Sequence, residues 1–367
     1  MFIMKRFFAA ILVGITVLSL CACGAAPEET ASPSPAVSAT TLPLEPSAVP
    51  TPSPEPRSLT TGLPSAQEYK PITVMIENSE KARPQTGLQQ ADIVYEAMAE
   101  GSITRMLCVF NDQKPVVAGP VRSTRIYFIN IQKEWDSPLV HYGGPRNASQ
   151  PSYVYGKNTE SIKVRVDGLK GAYNDYFWRD KSRSAPNNVY TDLQKIEDEL
   201  YDYTPDAREQ FSFDENVSYT GQTVDTVGIP FNTSSADFVQ FKYDASTGLF
   251  TRYMKDTPFK VRSVTLDASG EQESTTAPLT VKNLIVQYAK TYTIKGDNNG
   301  RQMVEVTGKG DCEYYIGGIQ LKGTWERSAL DDSTHYYLED GSPVVLQPGN
   351  TWIALQPTGK QTEVTYS

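Results

Sequence analysis

Two arginines three residues apart, Arg122 and Arg125, follow Gly119-Pro120 and precede Ile126, Phe128, Ile129 and Ile131, which recur near helical spacing. Pro120 and the hydroxyls of Ser123 and Thr124 are helix-start chemistry, so the pattern predicts a helix beginning just after Arg122 with both guanidinium groups on one side of its first turn. The helix dipole favours anions there and penalises cations. Something negative must therefore face the pair. It is either a bound phosphate or carboxylate, which guanidinium grips with paired donors, or the protein's own carboxylates. Arg105 and Arg83 are placed to join the pair from a hairpin and the loop leading into it, and Glu96 and Glu100 are the internal candidates for the neutralising role. His141, at a strand end before Gly143-Gly144, is the acid/base candidate, set against a histidine that simply hydrogen-bonds in place.

Other chemistries find less support. Two histidines, His141 and His335, in separate expected domains argue against a histidine-rich zinc site, so no metal and no cofactor are expected. Cys108 and Cys312 read as two isolated buried thiols rather than a disulfide. There is no Gly-x-x-x-x-Gly-Lys-Ser/Thr loop and no Gly-x-Ser-x-Gly elbow. A formal charge of -9 argues against nucleic acid as a partner. The balance is uneven, however, because Lys81 to Arg183 holds 15 Lys and Arg against 10 Asp and Glu, a local excess of 5 positive charges around the arginine pair.

The elements that must position these groups are mostly strands. Ile72 to Ile76 is a short strand ending at Glu77-Asn78, and Lys81 to Gln90 is a loop or short helix. Asp92 to Met98 alternates like a strand and Gly101-Ser102 is a two-residue hairpin signal. Setting Glu100 opposite Ile103 then puts Met98 opposite Arg105, with Glu96 and Glu100 diagonal to that arginine and Tyr95, Ala97, Met106 and Cys108 on the other face. Leu139 to Tyr142 and Ile162 to Val166 are further strands. Tyr173 to Tyr190, dense in aromatic and polar residues, reads as a functional or packing loop, and Thr191-Asp192-Leu193-Gln194 as a capping box for a helix through about Tyr201. Beyond about Pro205, hairpin signals dominate. Trp325, Trp352 and the many tyrosines there read as β-domain packing rather than a sugar platform.

The first 22 residues stand apart from the fold. Lys5 and Arg6 precede the apolar run Phe7 to Leu20, which is short for a spanning helix, and Leu20-Cys21-Ala22-Cys23 resembles the processing site of a bacterial lipoprotein, with Cys23 as the acylated residue. Acylation would tether the chain to the extracytoplasmic face of the cell membrane. Ten prolines between Pro27 and Pro64 then mark an extended stalk, able to reach about 120 Å over 40 residues at the polyproline rise.

Arg83-Pro84-Gln85, Ala91-Asp92-Ile93-Val94-Tyr95-Glu96, Gly101-Ser102-Ile103-Thr104-Arg105, Gly119 to Arg125, His141-Tyr142-Gly143-Gly144, Ala185 to Tyr190, Gly323-Thr324-Trp325 and Gly349 to Ile353 together resemble the YerB-like lipoproteins. That resemblance, over about Pro71 to Pro357, implies a membrane-anchored two-part domain and supplies no reaction. The expected organisation is a signal peptide over 1–22, a stalk over 23–70, an α/β domain with a mixed sheet over 71–204, a connector over 205–237, a mainly β domain over 238–357 and a tail over 358–367. Two functions fit. One is a non-catalytic envelope protein that binds an anionic wall polymer, a lipid headgroup or a protein partner. The other is a surface enzyme acting on a phosphate-linked substrate, in the manner of wall-polymer transferases that cluster arginines near a lipid pyrophosphate.

Overall fold

Period-two alternation decides where the core sits. Along β1 (Ile72–Glu77), β2 (Ile93–Glu100) and β3 (Ile103–Phe110), Val74, Val94 and Cys108 point to one face and Met75, Tyr95 and Leu107 to the other. Both faces are covered, so these six side chains are all buried. The structure, a computed structural model, describes residues 55–101, 103–231 and 238–367. The signal segment, Cys23 and the stalk up to residue 54 lie outside the described residues.

The three strands run antiparallel in the order β2-β3-β1, and β4 (Leu139–His141) and β5 (Arg165–Asp167) add in parallel beyond β1. On its other side β2 pairs in parallel with Thr351–Pro357, and the sheet continues through Asn283–Ala289, Gly308–Ile316, Ile319–Arg327 and His335–Leu338. Among the described residues this makes one eleven-stranded mixed sheet drawn from both halves of the chain. A six-stranded sheet built around Val239–Asp244 and Leu249–Met254 covers the Val74 face, where Phe241 and Phe250 join Val94, Val286 and Trp352 in one core. The helix α1 (Ile126–Gln132) covers the opposite face, and its Tyr127, Phe128 and Ile131 share a core with Tyr95, Leu107 and Ile353. The N-terminal part is thus a mixed sheet with helices and the C-terminal part mainly β. Cys108 and Cys312 are buried free thiols, and Trp325 and Trp352 are core residues.

Four local features differ from the sequence expectation, each for a physical reason. α1 starts at Ile126 rather than just after Arg122, with Arg125 as an extended N-cap. The amides of Val121, Arg122 and Thr124 donate to Val189, Met75 and Gly143 carbonyls, and three long-range partners outweigh a local helix-start signal. Gly119 at the head of this run has φ +151, and a Cβ there would come within 2.7 Å of the Val189 carbonyl oxygen. Second, Glu100 does face Ile103, but β2 is bulged between Met98 and Glu100, so Thr104 faces Met98 and Arg105 faces Ala97. One extra residue exchanges the faces. Arg105 therefore lies on the Tyr95 face, whereas Glu96, Met106 and Cys108 lie on the other.

Third, β6 (Phe177–Arg179) and β7 (Val189–Thr191) form a small ribbon, and Thr191 belongs to it. Asp192 alone caps the helix α2 (Leu193–Leu200), its side chain accepting from the Lys195 amide at 3.1 Å. Fourth, the expected stalk packs from Arg57 onward. Thr60 Oγ1 donates to Asp92 at 2.7 Å and Thr61 Oγ1 to Asp112 at 2.5 Å, so buried hydroxyls find carboxylate partners there.

Candidate functional site

Three of the four arginines singled out by the sequence converge on two glutamates. β1 ends at Glu77 and pairs it directly with Arg105 of β3. The extended run after Gly119 brings Arg122 to the same carboxylate, with Nε donating to Oε2 at 2.5 Å, while Arg105 Nη2 lies 3.5 Å from that oxygen. The other oxygen accepts the Asn78 and Ser79 amides at 3.1 and 3.2 Å. Burial acts to raise the Glu77 carboxyl, but Arg105 and Arg122 outweigh it and hold the group below the usual range. Glu77 is the part that sequence reasoning missed. Its signal, a charged residue ending an apolar strand, acquires meaning only once β1 is paired with β3.

Glu100 closes the second half of the cluster. Arg125 donates Nε to Glu100 Oε2 at 2.8 Å and Nη2 to the same oxygen at 2.5 Å, with Nη2 also in contact with Oε1. Arg105 Nη2 is 3.5 Å from Glu100 Oε1, and its Nη1 donates to the Ser123 carbonyl at 3.0 Å. Burial acts to raise Glu100 also, and Arg125 and Arg105 reverse it. Arg125 and Arg105 are nearly enclosed, with 7% and 4% of their side chains exposed, whereas Arg122 keeps 28%.

The other candidates lie elsewhere. Glu96 does not orient Arg105; across the sheet it pairs with Arg252 of the C-terminal half at 3.1 Å and accepts from Thr104 at 2.6 Å and Asn78 at 2.9 Å. Arg83 is not in the cluster. It donates to the Asn78 carbonyl at 2.8 Å and lies over the Phe259 ring. His141 is completely buried, with Nδ1 2.7 Å from the Gly143 carbonyl and Nε2 without a hydrogen-bond partner. Nδ1 must then carry the proton. Burial pushes this imidazole down to about 4, against the pull of Asp167 at 4.0 Å, so it is a neutral structural group with no route to a substrate.

Over the cluster opens a pocket of about 380 Å³ where Ser79, Lys81, Pro186 and Asn187 stand around Glu77, Glu100, Arg105 and Arg122. Glu77 takes only Nε of Arg122. The two terminal nitrogens of that guanidinium bond to none of the described residues, and neither does the exposed Lys81 ammonium. The arrangement offers free, oriented N–H donors beside a cluster whose own carboxylates are already committed. Such donors suit a planar or tetrahedral oxyanion.

The N-terminal domain of the family DUF3048, a protein of unknown function, matches residues 60–205, and its C-terminal domain matches residues 227–353. The "Putative lipoprotein YerB" of Bacillus subtilis (strain 168) is 31% identical over 314 residues, covering 81% of this chain and 85% of that protein. The crystal structure of YerB protein from Bacillus subtilis superposes with a TM-score of 0.67 at 27% identity, covering 85% of this chain and 100% of that one. With both domains matched in order and the relative aligned over most of its length, this chain belongs to the YerB-like family defined by the paired DUF3048 domains.

Proposed function

We propose that the chain is a lipoprotein anchored through Cys23 at the extracytoplasmic face of the bacterial membrane, and that its folded part binds an anionic group of the cell envelope in the Arg122 pocket. The anchor rests on the charged n-region, the short apolar run and the Leu-x-Ala-Cys junction, together with the relative's name. The binding reading rests on one observation, the half-open Arg122 guanidinium with its unused terminal nitrogens. Counting Arg125, four cations at the pocket face the three carboxylates Glu77, Glu80 and Glu100, an excess of one positive charge. The phosphate-directed enzyme is supported less, because it needs an uncommitted carboxylate beside Arg122. Glu77 and Glu100 are both in ion pairs, and Glu80 stands exposed at the rim with nothing among the described residues to orient it.

The geometry separates two substitutions that look alike in sequence. Arg122→Ala removes the free donors and also the closest partner of Glu77, leaving that carboxylate Arg105 at 3.5 Å and two amides. Retention of a glycerol-phosphate polymer should then weaken by about 1.5 to 3 kcal/mol with a lower melting temperature. Arg122→Lys, which keeps a cation beside Glu77, should lose retention with a small change in melting. Arg125→Ala strands a half-buried carboxylate and should lower the melting temperature instead. Two variants that melt early together while retaining the polymer normally would show a purely structural network.

A further inference from the structure

The four tryptophans divide three to one. Trp135, Trp325 and Trp352 have at most 1% of their surface exposed, whereas Trp178 is 41% exposed. A single exposed aromatic means little by itself. Its setting carries the argument. Trp178 is the middle residue of β6, directly paired with Tyr190 of β7, and its indole stacks on the nearly buried Tyr190 ring at 6.4 Å with the planes 25° apart. The ring is thus held on a paired backbone and backed by a second ring. It borders a pocket of about 340 Å³ that also takes in Asp180, Arg262 and Gln272.

Those polar groups are held by backbone from separate parts of the chain. The Asp180 amide donates to the Asn188 carbonyl at 2.8 Å, and its carboxylate accepts the Ser182 amide at 2.8 Å. Arg262 lies in a hairpin of the C-terminal half, Lys260–Leu266 with Gln272–Pro278, whose backbone is docked on the N-terminal half by Arg262 N donating to Gln85 O at 2.7 Å. Its Nε is buried without a hydrogen-bond partner, and its guanidinium makes no ion pair among the described residues. An aromatic plane flanked by one carboxylate, one guanidinium and one amide presents both acceptors and donors around an apolar platform. A phosphate would meet Asp180 and an ammonium would meet Arg262, so both charged classes are disfavoured. A neutral ring with hydroxyls on its edge and C–H groups on its face satisfies every part.

We propose that the Trp178 pocket is a saccharide subsite, in which a neutral pyranose stacks on the indole and shares its hydroxyls among Asp180, Arg262 and Gln272. The site does not depend on the Arg122 pocket, although the segment from Trp178 to Tyr190 borders both. All four tryptophans emit, but the other three are buried, so a change in the emission of the full chain in detergent on adding saccharide, absent from Trp178→Phe, reports on Trp178. Titration with neutral tetrasaccharides of glucose and of N-acetylglucosamine should shift that emission for at least one of them, with matching heat by calorimetry. Trp178→Ala should weaken binding about tenfold or more, Trp178→Phe should keep part of it, and Asp180→Asn should weaken it several-fold, all with unchanged melting. Arg122→Ala should leave saccharide binding intact, which separates failure here from failure of the anion reading. No binding of either sugar, or a Trp178→Ala protein that binds as tightly as the parent, would overturn the site. So would an emission shift that lipid vesicles produce and saccharides do not, since that outcome marks Trp178 as a membrane contact.

Discussion

Arg105, Arg122 and Arg125 crowd like charges into one region, and two carboxylates of unequal burial offset the repulsion. Glu77, with 2% of its side chain exposed, has given up its water to two guanidinium groups and two backbone amides, whereas Glu100 keeps 31%. The types of the residues were legible in the sequence, since a local cationic excess demands anions. Their partners were not, because Glu77 and Arg122 are 45 positions apart and meet only through the strand order. His141 shows the same limit. A histidine before two glycines looks reactive, yet burial depresses its basicity to about 4 from 6.5. Between those values the unfolded chain binds a proton that the folded protein does not, so for this group stability is full above about pH 6.5 and falls as the pH drops towards 4. The loss should approach about 3 kcal/mol, and it precedes that of Asp167, whose carboxyl is itself depressed and titrates below this window. Asp92, which burial raises to about 7, gives an opposite slope in the same window that is common to parent and variant. It is therefore the stability difference between the parent and His141→Gln in urea unfolding that should change with pH across this range. An equal slope in the variant would assign the pH dependence to other groups.

At the scale of elements, the hairpin after β2 was readable from Gly101-Ser102, and the alternation of β2 and β3 was readable too. The bulge was not, because nothing in Met98-Ala99-Glu100 announces an extra residue, and that single residue sends Arg105 and Glu96 to opposite faces. The delayed start of α1 follows the same logic, since amides bonded to distant strands overrule a local signal. On the far face, Glu96 and Arg252 are wholly enclosed and join the large sheet to the smaller one, with the guanidinium 4.0 Å from the Phe259 ring. Burial and the neighbouring Arg83 charge depress Arg252, and Glu96 opposes them. Removing either partner strands the other, so Glu96→Gln and Arg252→Met should each cost roughly 3 to 5 kcal/mol. The double variant should cost less than the two together by about 1 to 3 kcal/mol in denaturant unfolding. Strict additivity would show that the pair does not couple the sheets.

At the scale of the whole molecule, the change from mixed to mainly β character near Pro205 reads in sequence as a boundary, and the two family domains match residues 60–205 and 227–353. Hydrogen bonding crosses it nonetheless. β2 is flanked by β3 on one side and by Thr351–Pro357 on the other, so the last long strand of the C-terminal half occupies an interior place beside the N-terminal strands. Separating the halves would bare Ile93 to Glu96 along one edge, split the core shared by Val94, Phe241 and Trp352, and leave Glu96 without Arg252. Cuts in the two flanking regions should therefore behave differently. Cleavage upstream of Arg57, where the polypeptide is rich in proline, should free the folded part from isolated membranes with its melting temperature unchanged. Cleavage between residues 231 and 238 should give two fragments on a denaturing gel that still elute as one native species. Two separate native peaks after the second cut would mean that the shared sheet does not hold the halves together, and a folded part that stays with the membrane after the first, at high salt and as Arg122→Ala too, would place the anchor elsewhere than Cys23.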